Sequence, residues 1–216
     1  MGIFKKIFKP TLEQVITIVS GLPRSGTSMM MKMLEAGGIP PLTDEVRRPD
    51  TDNPKGYYEF ERVKGLDKGD TIWLRDAYGK SVKVISALLK HLPPDHQYRI
   101  IFMRREMPEV LASQRRMLIH RGEDADKMDD EMLAQLYAKH LKSTSDWINM
   151  QPNMSTLYVQ YGDIVSDPLS QIERINVFLG NKLNTTKMAE IVDPDLYRNR
   201  QPASGPVSRP KGMEIK

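Results

Sequence analysis

The fold of this chain is decided by residues 16–28, Ile16-Thr17-Ile18-Val19-Ser20-Gly21-Leu22-Pro23-Arg24-Ser25-Gly26-Thr27-Ser28. A β-branched apolar run ends at a glycine, a loop of small residues follows, and an apolar-periodic segment begins at Met29. That order predicts a strand, a loop and a helix, which is the arrangement of a phosphate-binding loop. Glycines let backbone N–H groups approach an anion, and the helix N-terminus behind them favours negative charge.

The loop departs at one position from the pattern G-x-x-x-x-G-K-[ST] of nucleoside triphosphatases. Gly21, Gly26 and Ser28 fit that pattern, but Thr27 stands where a lysine would reach the β- and γ-phosphates. A cation is present instead at Arg24, inside the loop. The sequence therefore predicts that the loop handles an anionic group other than a triphosphate. A loop of this shape with a different or lost ligand is the alternative.

A second informative stretch begins with the apolar run of residues 98–103. This run predicts a buried strand parallel to the first, and Pro108 suits the first turn of the helix that follows. Arg105 leaves at the carboxyl edge of the sheet, where ligands of open α/β folds bind, and Ser113 lies eight residues further on. Arg104 competes for the same role, and the eight-residue spacing selects Arg105. The alternative is a surface ion pair and a serine bonded to its own helix.

Both stretches resemble known elements of sulfotransferases that use 3′-phosphoadenosine 5′-phosphosulfate (PAPS). Residues 23–28 resemble their 5′-phosphosulfate-binding loop, and the Arg105/Ser113 pair resembles the element that binds the 3′-phosphate. Residues 53–59, 161–180 and 192–200 resemble softer motifs of the same family. The resemblance implies a P-loop NTPase-like α/β fold of three layers, with a central, mainly parallel sheet flanked by helices. The implied reaction moves a sulfuryl group from PAPS to a hydroxyl or amine and needs no metal.

The resemblance also implies roles for individual residues. Arg24 would stabilise charge on the departing phosphate as a catalytic residue. The general base is open between Glu45, at the offset from Arg24 seen in tyrosylprotein sulfotransferases, and Glu59, with Glu45 narrowly favoured. Lys83 is either a pocket residue or a solvated lysine at a strand end. The implied nucleotide-binding residues are Pro23, Arg24, Ser25, Gly26, Thr27, Ser28, Arg105, Ser113 and, closing over the nucleotide, Arg198 or Arg200.

The remaining chain supplies further predicted elements. Strands are expected at residues 81–85 and 155–161, and helices at 124–150 and 168–180, the last between Pro168 and Gly180. The proline-rich stretch 39–61 is interpreted as a wall of the substrate pocket, because irregular segments of this length are usually functional. His140 is interpreted as a core or surface histidine.

Composition limits the classes of function. The 216 residues suit a single domain spanning 1–216, with a basic N-terminal segment (1–13) and a loose tail (201–216). The absence of cysteine excludes disulfides and thiol catalysis. A net charge of +4 suits an anionic nucleotide and is too small to argue for nucleic acid. No apolar run reaches the roughly 20 residues of a transmembrane helix, so we expect a soluble, cytoplasmic protein.

Two other functions stay open from the sequence. One is a P-loop kinase or NTPase acting on a small molecule, and the other is a catalytically silent nucleotide-binding module. Metal dependence separates the kinase from the sulfotransferase, and PAPS turnover separates an enzyme from the silent module.

Overall fold

The apolar runs form one parallel sheet in the computed structural model, which describes residues 14–44, 46, 56–124 and 129–193. The strands are β1 (Val15–Gly21), β2 (Ser81–Lys83), β3 (Gln97–Arg104) and β4 (Met154–Gln160), in the order β2-β1-β3-β4. β1 and β3 lie in the middle and are rich in Ile and Val, which suits strands buried on both faces. The predicted central parallel sheet is confirmed.

The chain between and after the strands forms helices. The α-helices are α1 (Thr27–Ala36), α2 (Met107–His120), α3 (Asp130–Asn149), α4 (Tyr161–Ser166), α5 (Pro168–Leu179) and α6 (Thr185–Ala189). Three 3₁₀-helices cover residues Glu61–Lys68, Ile72–Ala77 and Ser86–His91.

Helices cover both faces of the sheet. Alternate residues of a strand point to opposite faces, so the apolar residues of β1 and β3 pack into two separate cores. Ile18 and Ile100 join a core beneath α3 and the three 3₁₀-helices. Val19 and Ile101 join a second core beneath α1, α5 and α6. The three-layer α/β arrangement predicted from the sequence is confirmed.

The strand register brings the functional loops to one edge. Gly21 pairs with Met103, and Val19 pairs with Lys83 on the other side of β1. The loops that follow β1, β2 and β3 therefore leave the sheet at the same carboxyl edge, where ligands of such sheets bind.

Several element boundaries follow their sequence signals. α1 buries Met30, Met33 and Leu34. α5 begins at Pro168 and ends before Gly180, whose φ of 96° is the left-handed conformation that closes a helix. The patterning did not predict α4 or α6.

β2 is shorter than predicted. It stops at Lys83 instead of residue 85, because the chain turns into a 3₁₀-helix at Ser86. The predicted N-terminal segment (1–13) and tail (201–216) lie outside the described residues. In the part of the chain that is described, no helix has the length and apolar character needed to cross a bilayer.

Candidate active site

The loop between β1 and α1 has a shape that its glycines make possible. Gly21 has φ 147°, and a Cβ there would lie 2.5 Å from the Ser25 hydroxyl oxygen. Gly26 has φ 97°, and its Cβ would lie 2.4 Å from the Tyr161 ring. The Ser25 hydroxyl donates to the Leu22 carbonyl at 2.7 Å, which closes the turn from inside. The loop therefore delivers the chain to the N-terminus of α1, whose first N–H groups favour an anion.

Three of the predicted anion ligands converge beside this loop. Arg24 Nε donates to Ser113 Oγ at 2.9 Å, across 89 residues of sequence. Arg105 Nη1 donates to the Arg24 carbonyl oxygen at 3.2 Å. Arg24 itself has φ 68°, a left-handed conformation that is uncommon outside glycine. The structure thus places the predicted 5′- and 3′-phosphate residues in direct contact.

The two competing arginines after β3 have different surroundings. The Arg104 guanidinium lies over the Tyr158 ring, 4.0 Å from its centroid. The Arg105 guanidinium contacts the loop and pairs through Nε with the buried carboxylate of Glu109 at 2.8 Å. The eight-residue spacing therefore selected the arginine that lies at the loop.

Tyr161 is a residue of this site to which the sequence analysis gave no role. Its ring lies beneath Gly26, and the Arg105 guanidinium lies over it at 4.4 Å from the centroid. Burial raises the pKa of the Tyr161 hydroxyl, while the nearby Arg105 charge opposes that shift. The sequence signal that could have identified Tyr161 as a site residue is its position directly after β4, at the carboxyl edge of the sheet.

Lys83 contacts the start of α1 from the neighbouring strand. Its Nζ lies 3.5 Å from Ser28 Oγ, donates to the Tyr57 carbonyl and lies 3.6 Å from Glu59 Oε1. The Lys83 side chain is only 10% exposed, so the alternative of a solvated strand-end lysine is wrong. These contacts place an ammonium and a carboxylate beside the loop between β1 and α1.

The segment that carries Glu59 is fixed to α1. Tyr58 has φ 53°, and its hydroxyl donates to Glu35 Oε2 at 2.6 Å. Burial, followed by the Glu35 hydrogen bond and charge, raises the pKa of Tyr58 above its usual value, so this donor keeps its proton. On the other side, the Thr43 hydroxyl donates to the Glu59 carbonyl at 2.8 Å. The backbone around Glu59 is therefore held from both directions.

The other predicted site residues are placed as follows. Pro23 is exposed at the loop tip, and Thr27 is the first residue of α1. Glu45, Arg198 and Arg200 lie outside the described residues. Within the described ranges, no group of three or more His, Asp or Glu side chains is placed to hold a metal ion.

His140 lies away from the loop, on α3. Its Nε2 is 2.8 Å from Ser86 Oγ. Burial, with a smaller contribution from the charge of Lys90, lowers the pKa of His140. This partly buried, hydrogen-bonded position agrees with a packing role.

Comparison with protein families gives a match over most of the chain. The model of the sulfotransferase domain matches residues 15–199. That range contains the loop, Arg105 and Ser113. A comparison with curated proteins found no match.

Three solved structures align with this chain at low sequence identity. Mouse sulfotransferase SULT7A1, complexed with PAP, aligns at 19% identity and a TM-score of 0.51, covering 83% of this chain and 63% of that one. Retinol dehydratase in complex with androsterone and inactive cofactor PAP aligns at 19% identity and a TM-score of 0.47, covering 87% of this chain and 65% of that one. The sulfotransferase domain of the Synechococcus PCC 7002 olefin synthase aligns at 16% identity and a TM-score of 0.48, covering 86% of this chain and 83% of that one. The chain thus spans slightly less than two thirds of the first two proteins.

Proposed function

The chain belongs to the sulfotransferase domain family, and from this premise we propose that it transfers a sulfuryl group from PAPS to a hydroxyl or amine of an acceptor. The observation that carries the proposal is the contact of Arg24 with Ser113 and of Arg105 with the Arg24 carbonyl. This contact joins a phosphate-binding loop to a second cationic position. A nucleotide with phosphates at both the 5′ and 3′ positions matches two such anion sites. Mouse sulfotransferase SULT7A1, solved in complex with the desulfated product PAP, supports the same co-substrate.

We assign the two phosphates to the two parts of the site. The 5′-phosphate would accept hydrogen bonds from the backbone N–H groups of residues 24–28 and from the hydroxyls of Thr27 and Ser28. The dipole of α1 favours an anion there. The 3′-phosphate would be held by Arg105 and Ser113. Arg105 suits this role because a guanidinium offers several donors in a fixed plane.

The reaction is an in-line displacement at sulfur. The acceptor oxygen or nitrogen forms a bond to sulfur while the bond from sulfur to the 5′-phosphate oxygen breaks and its electron pair stays on that oxygen. Arg24, and Lys83 beside Ser28, would stabilise the negative charge that develops on this leaving oxygen. A guanidinium is a poor proton donor, so Arg24 acts through its charge. The proton of the acceptor passes to a carboxylate.

We propose a glutamate as the base that takes this proton. The contacts of Glu59 support it as a candidate: its carboxylate lies 3.6 Å from Lys83 Nζ, and Lys83 contacts Ser28. The carboxylate is 25% exposed, so an acceptor can reach it. Glu45, which the sequence offset favours, stays an alternative prediction. Glu59→Gln and Glu45→Gln, compared in transfer from PAPS at equal nucleotide saturation, distinguish the two, because only loss of the base lowers turnover without weakening nucleotide binding.

The proposal is tested first by nucleotide binding. We expect calorimetric titration with adenosine 3′,5′-bisphosphate to give tight binding without added metal, and adenosine 5′-phosphate to bind more weakly. Arg105→Ala should remove most of this preference, since an arginine–phosphate contact contributes about 1.5–3 kcal/mol. Binding without preference for the 3′-phosphate, or binding of ATP–Mg²⁺ alone, would refute the proposal and favour the kinase.

Turnover separates the enzyme from a silent binding module. Radiolabelled PAPS is incubated with panels of phenols, alcohols, amines and carbohydrates, and label transferred to each is counted. Transfer that Arg24→Ala abolishes supports the proposed chemistry. The predicted cytoplasmic location stays a prediction, which fractionation of the producing cell tests.

A further inference from the structure

A buried carboxylate stands behind the proposed 3′-phosphate arginine. Glu109 is only 3% exposed and lies in the first turn of α2. Its Oε2 accepts from Arg105 Nε at 2.8 Å, and the Arg105 side chain is itself 8% exposed. Burying a carboxylate costs free energy unless it is paired and hydrogen-bonded, and Arg105 supplies both the opposite charge and the hydrogen bond.

The Arg105 guanidinium is held on three sides. Glu109 binds Nε, the Arg24 carbonyl accepts from Nη1, and the Tyr161 ring lies beneath the guanidinium plane. The Arg24 carbonyl belongs to the loop, at a residue with φ 68°. Glu109 therefore orients a group that also holds the backbone of the proposed 5′-phosphate loop.

We infer that Glu109 is a positioning residue that couples the two phosphate sites through Arg105. The inference rests on the proposed function, since it assigns the two phosphates as above. Glu109 fixes the guanidinium so that one donor reaches the loop carbonyl while the same group faces the 3′-phosphate. Losing that orientation loosens the loop as well as the 3′-phosphate site. The energy of binding the remote 3′-phosphate is in this way used to order the groups at the reacting end.

The discriminating probe is a ligand that lacks the 3′-phosphate. If Glu109 served the 3′-phosphate site alone, Glu109→Gln would weaken adenosine 3′,5′-bisphosphate and leave adenosine 5′-phosphate unchanged. Coupling predicts that both ligands bind more weakly. For Glu109→Gln we expect affinity to fall about tenfold for the bisphosphate and about threefold for adenosine 5′-phosphate. These losses are moderate because the amide of glutamine still accepts the hydrogen bond, which is weaker without the charge.

Glu106→Gln is the matched control. Glu106 lies three residues earlier, directly before the first residue of α2, and it is exposed. The charge change is the same, so a general effect of charge near the site would move both variants equally. Titration calorimetry of both variants with both ligands gives the comparison, and thermal unfolding shows that each variant is folded.

Arg105→Lys is a second variant in case Glu109→Gln does not fold. A lysine carries a single nitrogen and cannot bond the Glu109 carboxylate and the Arg24 carbonyl in the geometry of a guanidinium. Coupling again predicts weaker binding of adenosine 5′-phosphate. Unchanged binding of that ligand in the folded variants, with the bisphosphate weakened, would overturn the coupling and leave the proposed function intact. Failure of the unaltered protein to prefer the bisphosphate would instead refute the proposed function.

Discussion

Replacing Gly26 by alanine tests whether Tyr161 supports the loop. The added methyl group would lie 2.4 Å from Tyr161 Cδ2 and 3.1 Å from Cε2, so the ring must move. Gly38→Ala is a matched control. Gly38 has φ 103°, close to the 97° of Gly26, but nothing lies within 4 Å of its would-be Cβ.

The two substitutions share one energetic cost and differ in another. The left-handed conformation costs an alanine about 1–2 kcal/mol at either position. Overpacking against a buried ring adds about 1–3 kcal/mol at Gly26 only. We therefore expect the free energy of unfolding to fall by about 1–2 kcal/mol for Gly38→Ala and by about 2–5 kcal/mol for Gly26→Ala, from the sum of those two terms.

Urea denaturation of the two variants gives these free energies. Calorimetry with adenosine 3′,5′-bisphosphate adds a functional measurement. Because the displaced Tyr161 ring also carries the Arg105 guanidinium, we expect affinity to fall in Gly26→Ala and to hold in Gly38→Ala. Equal destabilisation with equal affinities would refute the packing of Tyr161 beneath the loop.

Two further changes have defined outcomes. Lys83→Met should slow the transfer of label from radiolabelled PAPS to an acceptor by at least about tenfold, because a charge near the leaving oxygen is lost. Lys68→Met, at an exposed lysine, should have no effect, and equal rates in the two variants would count against a role for Lys83. The lowered pKa of His140 means that the unfolded chain binds the proton more readily, so stability falls as the pH drops through about 6.5 and levels off below the folded-state value. Urea denaturation between pH 8 and pH 5 should show a smaller loss of unfolding free energy in His140→Gln than in the unaltered protein. The same pH dependence of unfolding free energy in both proteins would contradict a lowered pKa for His140.

The sequence was sufficient where local pattern and chemistry agree. The apolar run and glycines of residues 16–26 predicted a strand that ends in a tight turn, and the structure has both. The spacing of Arg105 and Ser113 is likewise a local quantity, set by the helical repeat. Such features predicted the sheet, the loop and the arginine that lies at it.

These local sequence patterns could not predict contacts between segments that are distant in the sequence. Nothing near Lys83 in sequence indicates that it meets the Tyr57 carbonyl and Glu59, because those contacts depend on where the irregular segment of residues 56–60 lies against β2. Glu109 reads as an ordinary acidic residue in a first helical turn until its burial is known. Tyr161 follows a strand, and its place beneath Gly26 depends on the packing of α4.

The hydrogen bonds of Arg24 to Ser113 and of Arg105 to Arg24 close loops of 89 and 81 residues. The pairing of β1 with β3 brings Arg105 to the loop, so the entropy cost of this closure is offset together with the pairing of those strands. A fragment containing only the loop and α1 has neither Arg105 nor Ser113 and would therefore lack the proposed bisphosphate site. Binding of adenosine 3′,5′-bisphosphate consequently reports on the completed β1–β3 pairing, and the ligand should raise the unfolding temperature of the whole domain instead of protecting one segment.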